Sequence, residues 1–551
     1  MGDYESNFQL PFFEMQHLDH QLGETSNSIQ TQAFGITPES IAQSSGSFPQ
    51  DENSSAMSTS NPHWPSLPSK TSHPSEDHER QIRRSADTHG FSDLPGGLFD
   101  ELLDIWFDKI QSFLPLLHRP RFIDKISSIR DGEELSYRNL DWETSLLLNA
   151  MFAMAARFSN SPYFSGQPIP ERGEHFAKRA KRLYETSLPH LRAPTLIYLQ
   201  GLTVLAFYLY AMEPNPQGWV LIGICSRLAY ELELDKIDED PEITRSQLTG
   251  HEEWSRQEER RRTWWCIWEL DGFAAAIACR RPTIDKRNMQ TMLPVSDETW
   301  FSNTPVESAI IDPMLTKAWQ TLEKCENQDV RAWFLIANFL LLSAHDLAQS
   351  KRSSKQEVNA LETAVSCFFL MMPSEFNLSS PSLSFTDRTY RRSNWIISMN
   401  IMLQGTFIFL RFVGESAAAK IPRNPNNHFL APLAAGSHFK ICTSAYHVNA
   451  EQIFTAVRLW NPAYVALHTP FIACLVIGPA AINLRTAIEI KKDPDTYPQF
   501  TGLELELLSL ALQKVGRYWK FGSILHAPIN HREDIVTNVC EDQALSLPDL
   551  S

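Results

Sequence analysis

The sequence predicts an all-α protein, a large multi-helix domain preceded by a disordered acidic tail. Three observations lead there. Apolar residues recur every three or four positions in stretch after stretch from Leu98 to about 518, which places them on one face of a helix. The strict alternation of a half-buried strand is almost absent, and neither GxGxxG nor GxxxxGK[ST] occurs. Finally, hydrophobic residues make up 43% of the 551 residues, with 32 Phe and 14 Trp, enough for a large core. Residues 1–92 stand apart from that core. They hold 17 serines and 12 acidic against 4 basic residues, and no Lys or Arg precedes Lys70. Such a composition buries too little apolar area to offset the entropy of ordering.

Taken in order, helices are expected at about 98–113, 142–158, 171–187, 195–212, 217–234, 257–279, 328–349, 355–372, 392–413, 435–459 and 501–518. In 142–158 the residues Leu146, Leu147, Ala150, Met151, Met154, Ala155 and Phe158 share one face. Breaks are expected at HRPRF (118–122), EPNPQG (213–218), DKIDEDPE (235–242) and IPRNPNN (421–427), where Pro, Asn and Asp stop helices. No repeat of 34 or 40 residues emerges, so a regular solenoid is not supported. The expected division is a disordered Ser/Pro-rich segment (1–92), a helical domain (98–520) and a C-terminal tail (521–551).

Charge and cysteine usage exclude several function classes. A net charge of −16 is the wrong sign for a protein that grips DNA with most of its surface. The eight cysteines, beginning at Cys225, form no close pair, so a disulfide scaffold, a CxxC redox pair and a zinc finger are not expected. Isolated thiols suit cytosol or nucleus. MGDYESNFQL lacks the basic and apolar regions of a secretory signal, and its Gly2/Ser6 match to the acylation pattern reads as chance beside Asp3. The uncharged stretch Leu459–Leu484 carries three prolines and two asparagines, which suits a buried helix and not a membrane span.

Catalytic constellations are not found either. HEEWS (251–255) begins like a helical zinc motif but has Ser255 where the second imidazole belongs. There is no GxSxG elbow. The acidic run Asp235, Asp238, Glu239, Asp240 and Glu242 reads as a solvated loop, since it lacks the glycine of a calcium loop. No catalytic, cofactor or metal residue is assigned.

The most unusual segment is EERRRTWWCIWELDGFAAAIACRRPTIDKRNMQTMLP, residues 258–294. Glu258 and Arg262 lie one helical turn apart and can pair. Trp264, Trp265 and Trp268, with Ile267, Leu270 and Phe273, are too apolar for a free surface. Pro282 ends the helix by disfavouring helical geometry at Arg281. As a nucleic-acid site, Arg260, Arg261 and Arg262 would grip phosphate beside stacking tryptophans. The flanking acids argue against this, and the favoured reading pairs the arginines with Glu258, Glu259 and Asp271 while the tryptophans fill the core.

This segment resembles the signature of the fungal-specific transcription factor domain, the regulatory region found downstream of binuclear zinc-cluster DNA-binding modules. The matching residues are Glu259, Arg261, Arg262, Trp264, Trp265, Asp271, Arg281, Pro282, Ile284, Asp285, Leu293 and Pro294, with Arg280 where the family usually has glycine. Three further blocks are similar in order: 102–122 with Pro115, His118 and Pro120, 146–159, and 218–234 with Trp219, Gly223 and Arg227. The similarity is best over 98–300 and extends loosely to about 520.

The resemblance implies a nuclear, non-enzymatic transcription regulator of a fungal metabolic or secondary-metabolite gene cluster. Its six-cysteine DNA-binding module has no counterpart here, because no cysteine precedes Cys225, so no zinc is expected. Action through a DNA-bound partner, a lost upstream exon and a trimmed ancestral factor all accommodate this. The implied partners are transcription machinery or a DNA-bound factor, with DNA contacted indirectly and no membrane. A homodimer and a small-molecule inducer remain open. Within the acidic tail, Tyr4, Phe8, Phe12, Phe13, Leu18 and Leu22 give the look of an activation segment. KRAKR, with Lys178, Arg179, Lys181 and Arg182, reads as an import signal or a solvated helix face. Two other classes stay open: a helical metal-dependent enzyme of terpenoid type, and a non-catalytic scaffold.

Overall fold

In a computed structural model the chain is described from Phe91 to Ala527, apart from 130–139, 241–249, 419–443, 480–502 and a few single positions. Helices make up the regular structure of the described residues, and no strand occurs among them. The first is α1 (Leu98–Ile105), continued by a π-turn over Trp106–Ile110. Then come α2 (Arg119–Ile129), α3 (Trp142–Ala155), α4 (Glu174–Ser187), α5 (Leu196–Met212) and α6 (Pro216–Glu231). The long α7 (His251–Ile277) is followed by two short helices, α8 (Asp297–Phe301) and α9 (Leu315–Ala318). The chain finishes with α10 (Val330–Gln349), α11 (Lys355–Met371), α12 (Tyr390–Ala418), α13 (Ser444–Leu459) and α14 (Leu503–Gly516).

Local chemistry sets many of these limits. Asp141, Thr195 and Asn215 each cap a helix by accepting a backbone N–H three residues on, and Pro216 then occupies the first turn of α6, where its missing N–H costs nothing. Ser354 and Glu357 form a reciprocal capping box at the start of α11. HRPRF, expected as a break, instead opens α2, because Pro120 fits a helix's first turn. The acidic break does interrupt the chain, but α7 starts at His251, six residues before the expected 257.

The helices form two packs joined by α7. In the first, α3 packs on α4 and α5, and α5 packs on α6. In the second, α10 packs on α11 and α12, and α12 on α13. Helix α7 touches α5 and α6 on one side and α10 on the other. A single apolar core runs through both packs, from Phe91 to Phe521.

The expected domain limits therefore move outward. Phe91, placed at sequence level in the disordered segment, is 1% exposed and packs edge-to-face on Phe99 and Phe152. Phe521, assigned to the tail, is buried, and residues 520–527 are helical. The rest of 1–92, the break at 421–427 and the start of the 435–459 helix lie outside the described residues. Leu459–Leu484 is not one buried helix: Val465–Leu467 and Pro470–Ile472 are separate 3-10 turns, split by His468 and Thr469. Among the described residues the helix long and apolar enough to cross a membrane is α10, but 89% of its most apolar window is buried inside the body, as in a core helix.

Candidate functional site

The signature segment builds a buried ionic junction on the first half of α7. Arg261 donates Nε and Nη2 to the two carboxylate oxygens of Asp238, at 2.9 and 2.6 Å, a fork-on-fork pair closed off from water. Asp238 also accepts the Met292 N–H at 2.8 Å. One residue on, Arg262 reaches Glu258 at 3.0 Å, Asp297 at 2.5 Å and the Val295 carbonyl at 2.5 Å, and its guanidinium lies 4.1 Å from the centre of the Trp300 ring. Glu258 closes the circuit by accepting the Val295 N–H at 3.0 Å. Burial alone would weaken both arginine cations. For Arg261 the bonds and charge of Asp238, and for Arg262 the pull of Asp297 and Glu258, more than offset it and hold both pKa values above the ordinary range.

Beside the junction, Arg121 at the start of α2 donates to Glu259 at 2.6 Å and to the Ser255 hydroxyl at 2.7 Å. Gln200 of α5 reaches the other Glu259 oxygen at 3.3 Å and the Leu116 carbonyl at 3.2 Å. His118 takes the Arg121 N–H on Nδ1, so its proton sits on Nε2, which meets the Trp300 carbonyl at 3.2 Å. Burial and the Arg121 charge lower its pKa to about 4, so it is neutral at pH 7.

Further along α7 the signature residues hold the chain that follows the helix. Asp271 accepts the N–H groups of Thr283 and Ile284 at 2.7 and 2.9 Å, which fixes the turn after Pro282. Asp285 takes three bonds from Arg287 and is held below the usual carboxylate range by them. The indole N–H of Trp265 donates to the Met292 carbonyl at 2.7 Å, while Trp264 and Trp268 fill the core, Trp264 edge-on to Tyr230. Arg281 is exposed and Pro282 half-buried. Arg280, in the glycine position, does not need glycine's freedom. Among the described residues positive φ outside glycine occurs at Glu233 and Asn303, and the Arg280 N–H simply bonds the Ala275 carbonyl at 2.9 Å.

Two sequence readings need correction. The arginines pair as expected only with Glu258, which takes Arg262 at 3.0 Å: Asp238 and Asp297 also take Arg261 and Arg262, Glu259 pairs with Arg121, and Asp271 binds backbone. Asp238, read as part of a solvated loop, is 4% exposed, because the 3-10 turn Leu234–Lys236 folds the chain under α7. Among the described residues no group of three His, Cys, Asp or Glu could hold a metal ion. The sequence reading missed Arg121, Gln200, Asp297 and Trp300. Of these Arg121 alone had a signal, its place in the Pro-x-x-His-x-Pro block.

With every strong donor and acceptor engaged inside the protein, the junction has no group poised for chemistry. It fixes the 232–240 segment, the 283–297 segment, α2 and α5 to one helix. A family model described as the fungal specific transcription factor domain matches residues 103–391. Among curated proteins, the Zn(2)-C6 fungal-type transcription factor FTF1c of Fusarium oxysporum f. sp. lycopersici is 28% identical over 254 residues, covering 43% of this chain and 25% of its own length. The pigment biosynthesis transcriptional activator pigB of Monascus ruber is 26% identical over 214 residues, 39% of this chain and 36% of its own. The transcription factor tazR of Aspergillus terreus is 23% identical over 224 residues, 40% and 32% respectively. The matched part thus spans between a quarter and rather more than a third of these relatives. No solved structure matches the chain.

Proposed function

This chain belongs to the fungal specific transcription factor domain family, whose model covers more than half of it, and from that premise we propose that it regulates transcription of a fungal metabolic or secondary-metabolite gene cluster. The observation that carries the reading is the family match falling on a body whose signature residues are taken up in locking helices and following segments together. The relatives support the pathway class in part, since one is named as a pigment biosynthesis activator. Action is in the nucleus. DNA is reached indirectly, through a DNA-bound partner factor or a module outside these 551 residues, and contact with transcription machinery runs through the acidic segment 1–92. A homodimer and a small-molecule inducer fit the same role.

Tethering the full chain to an unrelated DNA-binding domain and measuring reporter output tests the reading. Output above the domain alone is expected, and it should fall when Phe8, Phe12 and Phe13 become alanine, because aromatics in an acidic setting are what a partner would grip. A tethered chain that neither raises nor lowers output would sink the proposal.

A further inference from the structure

The 218–234 block and the chain that follows α7 at 280–287 meet on the surface of the body, and packing does not use them up. Trp219, Gly223, Arg227 and Tyr230 lie three or four residues apart along α6 and so share one face. The chain after α7 runs beside that face. The Arg280 guanidinium lies 5.4 Å from the centre of the Trp219 ring, and the Tyr230 hydroxyl accepts the Asp285 N–H at 3.3 Å. The helix rise between those two contacts makes the strip about 16 Å long. Arg227, Arg280 and Arg281 are exposed, and among the described residues none of them meets a carboxylate; Arg227 reaches the Gly223 carbonyl of its own helix at 3.2 Å. Elsewhere arginines find acids: Arg119 meets Asp108 at 2.9 Å, Arg256 meets Glu252 at 2.6 Å and, in the core, Arg331 meets Glu269 at 2.6 Å. Glu231 and Asp285 lie at the Tyr230 end, where Arg287 takes Asp285. The Trp219 half of the strip is left positive.

Apolar surface adjoins these charges. Val220 is 57% exposed, and Trp219 and Ile224 are half-buried. Gly223 leaves a hollow among them, since a Cβ there would meet only the Arg227 guanidinium, at 3.5 Å. Gly201 and Gly272, by contrast, are pressed against Leu146 and Leu342. A glycine inside a helix is destabilising relative to alanine, and no neighbour among the described residues requires this one.

We infer that this strip is a docking surface for a short acidic segment of a partner protein that carries a large apolar side chain. Its carboxylates would take the forks of Arg227, Arg280 and Arg281, and its apolar side chain would sit on Trp219 and Val220 in the Gly223 hollow. A row of charges this long suits a chain and not a single small anion. Nucleic acid also presents a row of anions, but Glu231, Asp285 and the net charge of −16 repel a dense phosphate backbone. The inference rests on the regulatory reading for its purpose, and gives the helical body a partner contact of its own.

The test is fluorescence anisotropy of the full chain with the labelled peptide DDFDDLDD, compared with DDADDADD, KKFKKLKK and a short DNA duplex. DDFDDLDD should bind with Kd about 10–100 μM, and the other three about tenfold more weakly or worse. Arg280→Glu combined with Arg281→Glu should weaken the acidic peptide about tenfold, and Gly223→Ala about threefold. Both variants should melt no more than about 2 °C below the parent, since the exposed arginines have no ion pair to lose and alanine suits a helix better than glycine. Lys178→Glu combined with Arg182→Glu makes the same charge change on α4 and should leave the affinity as it was. Unchanged affinity in both the arginine and the glycine variants would overturn the inference. So would an equal loss in the α4 control, DDADDADD or duplex DNA binding as tightly as DDFDDLDD, or no saturation at about 1 mM peptide. A chain that is active when tethered but binds no peptide counts against this surface alone. A tethered chain that is silent yet binds the peptide counts against the regulatory reading alone.

Discussion

Replacing Arg262 with methionine should destabilise the protein by about 3–5 kcal/mol, the range for removing one partner of a buried ion pair. The structure shows why the upper part of the general range for point substitutions applies. Methionine keeps the stem and much of the volume, so packing against Trp300 is largely retained. What disappears is three charge-assisted contacts, to Glu258, Asp297 and the Val295 carbonyl. Asp297 has a side chain 31% exposed and can rehydrate, which limits its share. Glu258 cannot: its side chain is 1% exposed, and it would keep only the Val295 N–H and Arg261 at 3.7 Å. Most of the loss is therefore the stranded Glu258 carboxylate. Urea unfolding of the full chain, followed by far-UV circular dichroism, measures it, with Arg256→Met as the control. Arg256 pairs with Glu252 on the same helix at 2.6 Å, but the side chains are 62% and 71% exposed, so its loss should stay below about 0.5 kcal/mol. If Arg262→Met costs no more than this control, the junction is not what holds α7 to the 295–301 segment.

Four other outcomes follow from particular contacts. His468 is fully buried with its pKa pushed down to about 3, first by desolvation and then by Arg331. The unfolded chain binds this proton more readily, so its contribution to stability is complete above about pH 6.5 and falls by roughly 1.4 kcal/mol per pH unit below it; melting temperatures should fall less steeply from pH 7 to 4 in His468→Gln, with the share of His118 remaining. Gly173→Ala would put a Cβ 1.9 Å from the Ala153 carbonyl oxygen, which is backbone and cannot swing away, so a loss of roughly 2–3 kcal/mol is expected in the same urea assay. Asp271→Ala strands the Thr283 and Ile284 N–H groups and should lower stability by about 2–4 kcal/mol, checked by thermal melting. By contrast, alanine at Lys178, Arg179, Lys181 and Arg182 should leave the melting temperature within a few degrees, because the Glu174 and Glu185 partners of the two lysines are surface i,i+4 contacts; a tagged variant that folds normally yet leaves the nucleus would identify the import signal.

Periodicity made the helices legible and left the ion pairs dark, for a physical reason. A helix is a local object, and its apolar face repeats within the window being read. Helix α5, for instance, runs from 196 to 212 against an expected 195–212, with Thr195 capping it and Glu213 ending it. Where the reading slipped, the deciding interaction lay elsewhere in the chain. Asp238 looked solvated because its neighbours are acidic, and it is buried because Arg261, 23 residues on, needs a carboxylate. Phe91 looked like part of a Ser-rich segment, and it is core because Phe99 and Phe152 make a socket for it. The Arg331–Glu269 pair had no sequence signal at all, since an arginine at the start of an apolar helix and a glutamate in a tryptophan-rich one are each unremarkable alone.

The ionic junction and the Arg331–Glu269 pair sit on one helix, and that placement bears on how the protein could respond to a signal. The ionic junction occupies Ser255–Arg262 and faces the first pack. Glu269 lies two turns further along, facing α10 and the second pack. A helix with continuous backbone bonds transmits a shift at one end to the other with little loss, and packed cores move between discrete arrangements more readily than they deform. Gly272, one turn beyond Glu269, sits so close to Leu342 of α10 that a Cβ there would come within 2.5 Å of Cδ1. Helices α7 and α10 are therefore in close contact at Gly272 and Leu342 as well as at the Glu269–Arg331 pair. The segments tied to α7 by Arg261, Arg262 and Asp271 are thus held by the same helix that carries the contacts to α10.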